Sequence, residues 1–414
     1  MQTTRRSSSV DRSGQRKHKP DYGLLVITII LLAIGLIVVY SIGPGLASLK
    51  NVDESYFINK QLIAISIGFV AFLVTAFTPL GFWKRMQKYL VITGVVATLV
   101  ALMMPVTPEY PAHRWIRVGG FSLQSVELIK YALLIALAAF FAKQKSIGLI
   151  GDDRKTLKPV AICVAIMSAF VAVAQKDLGS FGVLIAIVTA MGYVAGVPLK
   201  RVVVASLLVV GALVLLVLPF EYRRQRVTTY LNPERDCQNA GYQACQALIA
   251  IGSGGLSGKG IGHGVQAFGY LPEAANDSIF AILAEKFGFL GTSVLIGLFM
   301  ALFTRLKNIL ERSADDFSRF IMTGILAWMS TQTLINIGAM VGLLPLKGIT
   351  LPFISYGGTS IILILTVVGL AFNISRYTSF GIVASQERSR NEDNTDWRRN
   401  RRSYNATSSN RTRT

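Results

Sequence analysis

Residues 23–42 read GLLVITIILLAIGLIVVYSI, a stretch with no charged position. A run of about 18 or more apolar residues can cross a hydrocarbon core as a helix, because a helix satisfies its own backbone hydrogen bonds where no water can. Working outward, further runs of this kind lie near 59–79, 88–105, 125–142, 158–175, 180–197, 202–219, 278–304, 318–343 and 359–376. Of 414 residues 52% are hydrophobic and 15% charged, too apolar for a disordered chain and too poor in charge for a soluble nucleic-acid binder. The expectation is an all-α polytopic membrane protein with ten transmembrane helices.

The formal net charge is +20, and its placement orients the chain. Ten spans put both termini on one side. That side carries 29 Lys and Arg against 10 opposite, with three more inside spans. The positive-inside bias then makes both termini cytoplasmic. It leaves the large loop 220–277, between the seventh and eighth spans, extracellular or periplasmic. Residues 1–22 and 378–414 are basic, rich in Ser, Thr, Asn and Arg, and contain no apolar run. They are expected to be disordered cytoplasmic tails, drawn to anionic lipid heads, on either side of a transmembrane domain at 23–377. A polar stretch precedes the first span and no small-residue cleavage site follows it, so that span reads as an uncleaved anchor. Cys163 falls in the fifth span and is expected to pack there. Cys237 and Cys245 share the outer loop, where oxidation is available, and are candidates for a disulfide that shortens it.

Ionisable residues at membrane depth are costly and mark candidate sites. Glu127 and Lys130, three apart at the start of the fourth span, share a helix face. They read either as a buried ion pair that fixes packing or as a pair lining a polar cavity. On the outer side, Arg114-Trp115-Ile116-Arg117 suits an interfacial belt or an anionic head group. Arg223-Arg224-Gln225-Arg226 is a cationic cluster on the face where topology disfavours one. After a short apolar stretch at 244–252, expected as a re-entrant or interfacial helix, come the glycines of 252–264. Glycines this dense let a backbone approach a ligand, and successive amides can bind anions.

The loop ends at Tyr270-Leu271-Pro272-Glu273-Ala274-Ala275-Asn276-Asp277, where the eighth span starts. Asp277 stands at a helix N-cap position, or else presents a carboxylate at the mouth of a membrane cavity. Partial removal from water would raise its pKa from about 3.9 and make it a better general base. The last outer loop, from Gly342 to Ser360, holds two prolines and four glycines that forbid a continuous helix, and adds Lys347. One candidate base and several cations around a lipid-accessible body suit a substrate with an anionic lipid head, such as a polyprenyl pyrophosphate. They fit an enzyme and a transporter equally.

These residues resemble the SEDS family, the FtsW/RodA group of bacterial cell-wall polymerases, over about 20–380. The motifs are Arg114-Trp115 with Gly119-Gly120, the block Gln124 to Lys130, Gln175-Lys176-Asp177-Leu178-Gly179, the glycines leading into Tyr270-Leu271-Pro272-Glu273, and Leu351-Pro352-Phe353-Ile354-Ser355-Tyr356-Gly357-Gly358. Within the family, Tyr270 to Ala274 and Lys347-Gly348-Ile349-Thr350 look like the division branch rather than the elongation branch. The resemblance implies a peptidoglycan glycosyltransferase that polymerises lipid II at the bacterial cytoplasmic membrane, at the division septum. It also implies a class B penicillin-binding transpeptidase and other divisome proteins as partners, and no nucleic acid.

The family's essential aspartate aligns with Asp277, which is expected to take a proton from the acceptor sugar's hydroxyl. Arg114, Lys130, Lys347 and Arg223 are expected to bind the pyrophosphate, with Glu127 orienting Lys130 and Glu273 shaping the loop. A divalent cation, Mg or Mn, could share that role, although no metal-ligand spacing shows it. Three departures from the family pattern stand out: Gln124-Ser125-Val126-Glu127 lacks a proline, Ala275-Asn276 precedes the aspartate, and Glu285-Lys286 replaces a pair of acids. The rival classes are a lipid II flippase and a non-catalytic scaffold that recruits the transpeptidase.

Overall fold

A computed structural model describes residues 16–17, 19–106, 112–118, 121–198, 200–201, 203–204, 207, 211, 230, 237–239 and 241–378. The first apolar run becomes α1 (Tyr22–Lys50), capped by Asp21, whose carboxylate accepts from the Leu24 amide at 3.1 Å. It is followed by α2 (Tyr56–Phe77) and α3 (Leu80–Met103). A short hairpin of β2 (Trp115–Val118) and β3 (Phe121–Gln124) then leads directly into α4 (Ser125–Ser146). The missing proline therefore does not delay that helix. The fifth segment is α5 (Lys158–Ser168) between π-helical turns at Asp153–Leu157 and Ala169–Ala174, and α6 (Leu178–Ala195) comes next. After it come the short α7 (Tyr242–Gly254) and the long α8 (Ile279–Glu311), α9 (Asp316–Met340) and α10 (Gly358–Ser375).

Nine helical segments among the described residues are long and apolar enough to cross a membrane. The expected seventh span, 202–219, lies almost wholly outside the described residues, as do Arg223, Arg224, Arg226 and most of both tails. Backbone β1 (Arg16–Lys17) pairs antiparallel with β4 (Tyr377–Thr378), so the chain is ordered before the first helix begins and just after the last one ends. The two ends of the described chain thus meet at one end of the bundle.

Helix contacts follow membrane logic, in which polar side chains link helices that apolar burial alone would not select. Thr75 on α2 donates to the Thr366 carbonyl on α10 at 2.9 Å, and Asn373 returns a bond to the Thr75 carbonyl at 2.9 Å. The α4 and α10 helices are the most enclosed, with 83% of their apolar windows buried, whereas α3 and the 153–174 segment face mainly outward. Cys163, expected to pack inside, is exposed on that outward face.

Part of the glycine-rich stretch packs against a backbone. Helix α8 breaks at Gly288 (φ 63°, ψ −163°), which frees peptide groups inside the bundle. Residues 255–260 run beside the break and pair with them. Lys259 and Gly260 amides donate to the Glu285 and Lys286 carbonyls at 2.9 Å each, and the Phe289 amide donates to the Gly255 carbonyl at 2.9 Å. The approach is closest at Gly258, where a Cβ would collide with the Lys286 carbonyl. Fully buried Glu285 secures the same loop, accepting from the Val265 amide at 2.9 Å and lying 3.6 Å from Lys259 Nζ.

Candidate active site

At the end of the bundle away from β1 and β4, four chain segments converge: the hairpin, the start of α6, the turn before α8 and the broken loop after α9. Arg114, just before β2, spans between them. Its Nε donates to the Gln175 carbonyl at 2.8 Å, its Nη2 to the Lys176 carbonyl at 2.6 Å, and its Nη1 lies 3.9 Å from Asp177. Part of its charge is committed to the turn that starts α6. There Asp177, 1% exposed, also caps the helix by accepting from the Ser180 amide and hydroxyl at 3.0 and 2.9 Å.

Asp277 does not cap α8. Ser278 occupies that position, and its hydroxyl donates to the Pro272 carbonyl at 2.9 Å. The turn is fixed from three sides through its backbone. Asn336 Nδ2 donates to the carbonyls of Asp277 and Ile349 at 2.8 and 2.7 Å. Ser355 Oγ donates to the Asn276 carbonyl at 2.6 Å, and the Tyr356 amide to the Ala275 carbonyl at 2.8 Å. With its backbone held, the half-buried Asp277 carboxylate is left directed at Gly348. Oδ2 of Asp277 and Nη1 of Arg114 lie 3.1 and 3.2 Å from where a Cβ on Gly348 would stand. Burial pushes the Asp277 pKa up to about 8, the neighbouring charges of Glu273 and Asp177 add to that, and Arg114 opposes it. A carboxyl poised there can exchange a proton near neutral pH.

Glu127 and Lys130 form a buried pair at 2.6 Å beneath this surface. Lys130 also donates to Gln332 Oε1 at 2.9 Å and sits 4.9 Å from the Trp328 ring centroid. Gln332 Nε2 in turn donates to the Thr350 carbonyl at 3.0 Å, so the pair reaches the loop of Lys347 and Gly348 through an amide. Lys130 is thus tied to the site's scaffold, and its ammonium is held by Glu127 and Gln332. Glu273 is exposed, takes a left-handed backbone (φ 51°), and accepts from Asn276 Nδ2 at 2.5 Å. Lys347, half-buried, stands beside Gly348 in the same loop. Cys237 and Cys245 are joined by a disulfide (S–S 2.07 Å) at the start of α7, and Gln243 of that helix donates to Ser278 Oγ at 3.1 Å.

Three participants were not singled out from the sequence: Asp177, Gln332 and Asn336. Asp177 lay inside a quoted motif without being given a role. Gln332 and Asn336 are amides four apart in an apolar span, and that spacing was the available signal.

The family model FtsW/RodA/SpoVE, described as cell cycle protein, matches residues 22–380. Stage V sporulation protein E of Bacillus subtilis is 38% identical over 367 residues, covering 88% of this chain and 99% of that protein. A probable peptidoglycan glycosyltransferase FtsW of Coxiella burnetii is 36% identical over 363 residues, covering 86% and 96%. Among solved structures, a chain of a peptidoglycan synthase complex superposes with a TM-score of 0.68 at 23% identity, covering 86% of this chain and 98% of that one. The rod shape determining protein RodA of Thermus thermophilus superposes at 0.60, also with 23% identity, covering 86% and 97%. The structural likeness speaks for the fold, and the sequence matches extend over nearly the whole transmembrane domain. The chain belongs to the FtsW/RodA/SpoVE family of cell cycle proteins.

Proposed function

We infer that this chain is a peptidoglycan glycosyltransferase that polymerises lipid II on the outer face of the bacterial cytoplasmic membrane. The observation that carries this reading is the half-buried Asp277 carboxylate facing Arg114 across Gly348, in a chain whose relatives include proteins named as such enzymes. Asp277 takes the proton of the acceptor sugar's 4-hydroxyl. The freed oxygen bonds to the anomeric carbon of the donor with inversion, and the bond from that carbon to the pyrophosphate breaks. Undecaprenyl pyrophosphate leaves with the bonding pair. Arg114 and Lys347 stabilise the charge developing on it, and Arg223, outside the described residues, is assigned the same task. Lys130 and Glu127 act on that loop through Gln332. Among the described residues no group of three His, Cys, Asp or Glu is placed to hold a divalent ion.

Ten crossings with both termini cytoplasmic fit the pairing of β1 with β4, because an even number of spans returns the chain to its starting side. A class B penicillin-binding transpeptidase is the proposed partner, supported by the structural likeness to a peptidoglycan synthase complex, and the septum is the proposed location. Purified protein given lipid II, with and without the transpeptidase, tests the reading. Glycan chains should form with the unaltered protein and vanish with Asp277→Ala. Abundant polymer from Asp277→Ala would remove the assigned base, and lipid II transfer between leaflets without polymer would make the chain a transporter.

A further inference from the structure

At the opposite end of the bundle from Asp277, a groove opens on the outward face of the fifth segment. Its volume is about 540 Å3, and Arg154, Lys158, Pro159, Ile162, Ile166 and Met167 line it. The apolar members recur at three- and four-residue steps along α5, and Ile162 and Ile166 are 50% and 53% exposed. Both cations stand at one end, where the π-helical turn enters the helix. From Lys158 to Met167 the helix rises about 14 Å at 1.5 Å per residue. That is close to half of the roughly 30 Å hydrocarbon core, the depth of one leaflet.

Nearby acids do not neutralise the rim. Asp153 pairs with Arg201 at 2.7 Å. Asp152 turns to the backbone, accepting from the Arg154 and Lys155 amides at 2.9 and 3.1 Å. Neither Arg154 nor Lys158 forms a side-chain ion pair among the described residues.

We propose that this groove binds one anionic diacyl phospholipid of the leaflet on the termini side, with its phosphate at Arg154 and Lys158 and an acyl chain along Ile162 and Ile166. A purely apolar groove would accept any lipid tail. Two unneutralised cations at head-group depth make the site select net negative charge.

Cys163 also lines the groove and is exposed, and the chain's other two cysteines are bonded to each other, so a thiol-linked fluorophore there reports on occupancy. The full chain, labelled at Cys163, is placed in phosphatidylcholine vesicles and titrated with brominated phosphatidylglycerol or brominated phosphatidylcholine. The anionic lipid should quench at a roughly thirtyfold lower mole fraction, the scale set by two surface cations acting on one added charge. R154Q combined with K158Q should bring the two lipids to parity, while Ile166→Trp should fill the groove and weaken quenching by both. Equal quenching of the unaltered protein, or a preference that survives the double substitution, overturns the proposal. So does Cys163 that resists a lipid-soluble maleimide, because the groove would then be occupied by protein.

Discussion

Asp277 and Arg114 meet at a single empty point, the place a Cβ on Gly348 would fill, 3.1 Å from the carboxylate oxygen and 3.2 Å from the guanidinium nitrogen. Carboxylate and guanidinium are therefore spaced by the smallest residue, which stands on a third chain segment.

Gly348→Ala should part that pair without unfolding the protein, since both neighbours are ends of flexible side chains. Displacement of catalytic groups by about 1 Å can cost on the order of 10²-fold in rate. A lipid II polymerisation assay alongside a melting curve checks this, and an unaltered rate would show that the spacing is unimportant.

As the proposed base, Asp277 must be ionised to accept a proton, and its carboxyl is pushed up to about 8. The rate should therefore rise with pH through a value far above the ordinary carboxylate range of about 4. Glu273→Gln removes a like charge and should shift the rise to lower pH, whereas Arg114→Gln should shift it higher. Stability runs the other way. A carboxyl whose folded pKa exceeds its unfolded pKa favours folding when protonated, and that contribution is lost as pH climbs from about 4 through about 8. Asp277→Asn should accordingly melt higher than the unaltered protein above pH 8, and the gap should close below pH 4.

Lys130→Met would strand the Glu127 carboxylate, which is 3% exposed. Breaking a buried pair from one side typically costs about 3–5 kcal/mol, while replacing both partners costs much less. The melting temperature of Glu127→Leu combined with Lys130→Met should therefore lie above that of Lys130→Met alone.

Gly258→Ala places a methyl group against the Lys286 carbonyl on a residue at φ 81°. It should destabilise the protein by about 2 kcal/mol or more, measured by thermal unfolding in detergent. Retained stability would mean that the 255–260 segment is not held against the α8 break.

Without reductant, a maleimide should label Cys163 alone, and after reduction Cys237 and Cys245 should label as well. Labelling of all three before reduction would contradict the disulfide.

Much of the fold was legible because a span is a local property: long apolar runs fixed the described helices to within several residues at most ends. The 244–252 stretch and the broken loop after α9 were legible for the same reason, through length and through proline and glycine content. Cys163 was misread because a segment's apolarity does not say which of its faces packs. The glycines of 252–264 did not reveal their contact with α8, because permissive backbone geometry has the same signature whether it meets a phosphate or a peptide group. The break at Gly288 that they serve lies almost thirty residues downstream.

The sequence by itself determined that this is a multi-pass membrane protein of the FtsW/RodA/SpoVE family, and it singled out Asp277. Hydropathy, charge and motif order are written along the chain, and each is read without knowing what lies beside it. Only the tertiary structure decided that Asp177 anchors Arg114, that Asn336 holds the Asp277 turn, and that Gln332 links Lys130 to the loop of Gly348. Gln332 and Thr350 are 18 residues apart, the other partners 59 to 202, and only helix packing brings them together. Spacing along the sequence carries no trace of that.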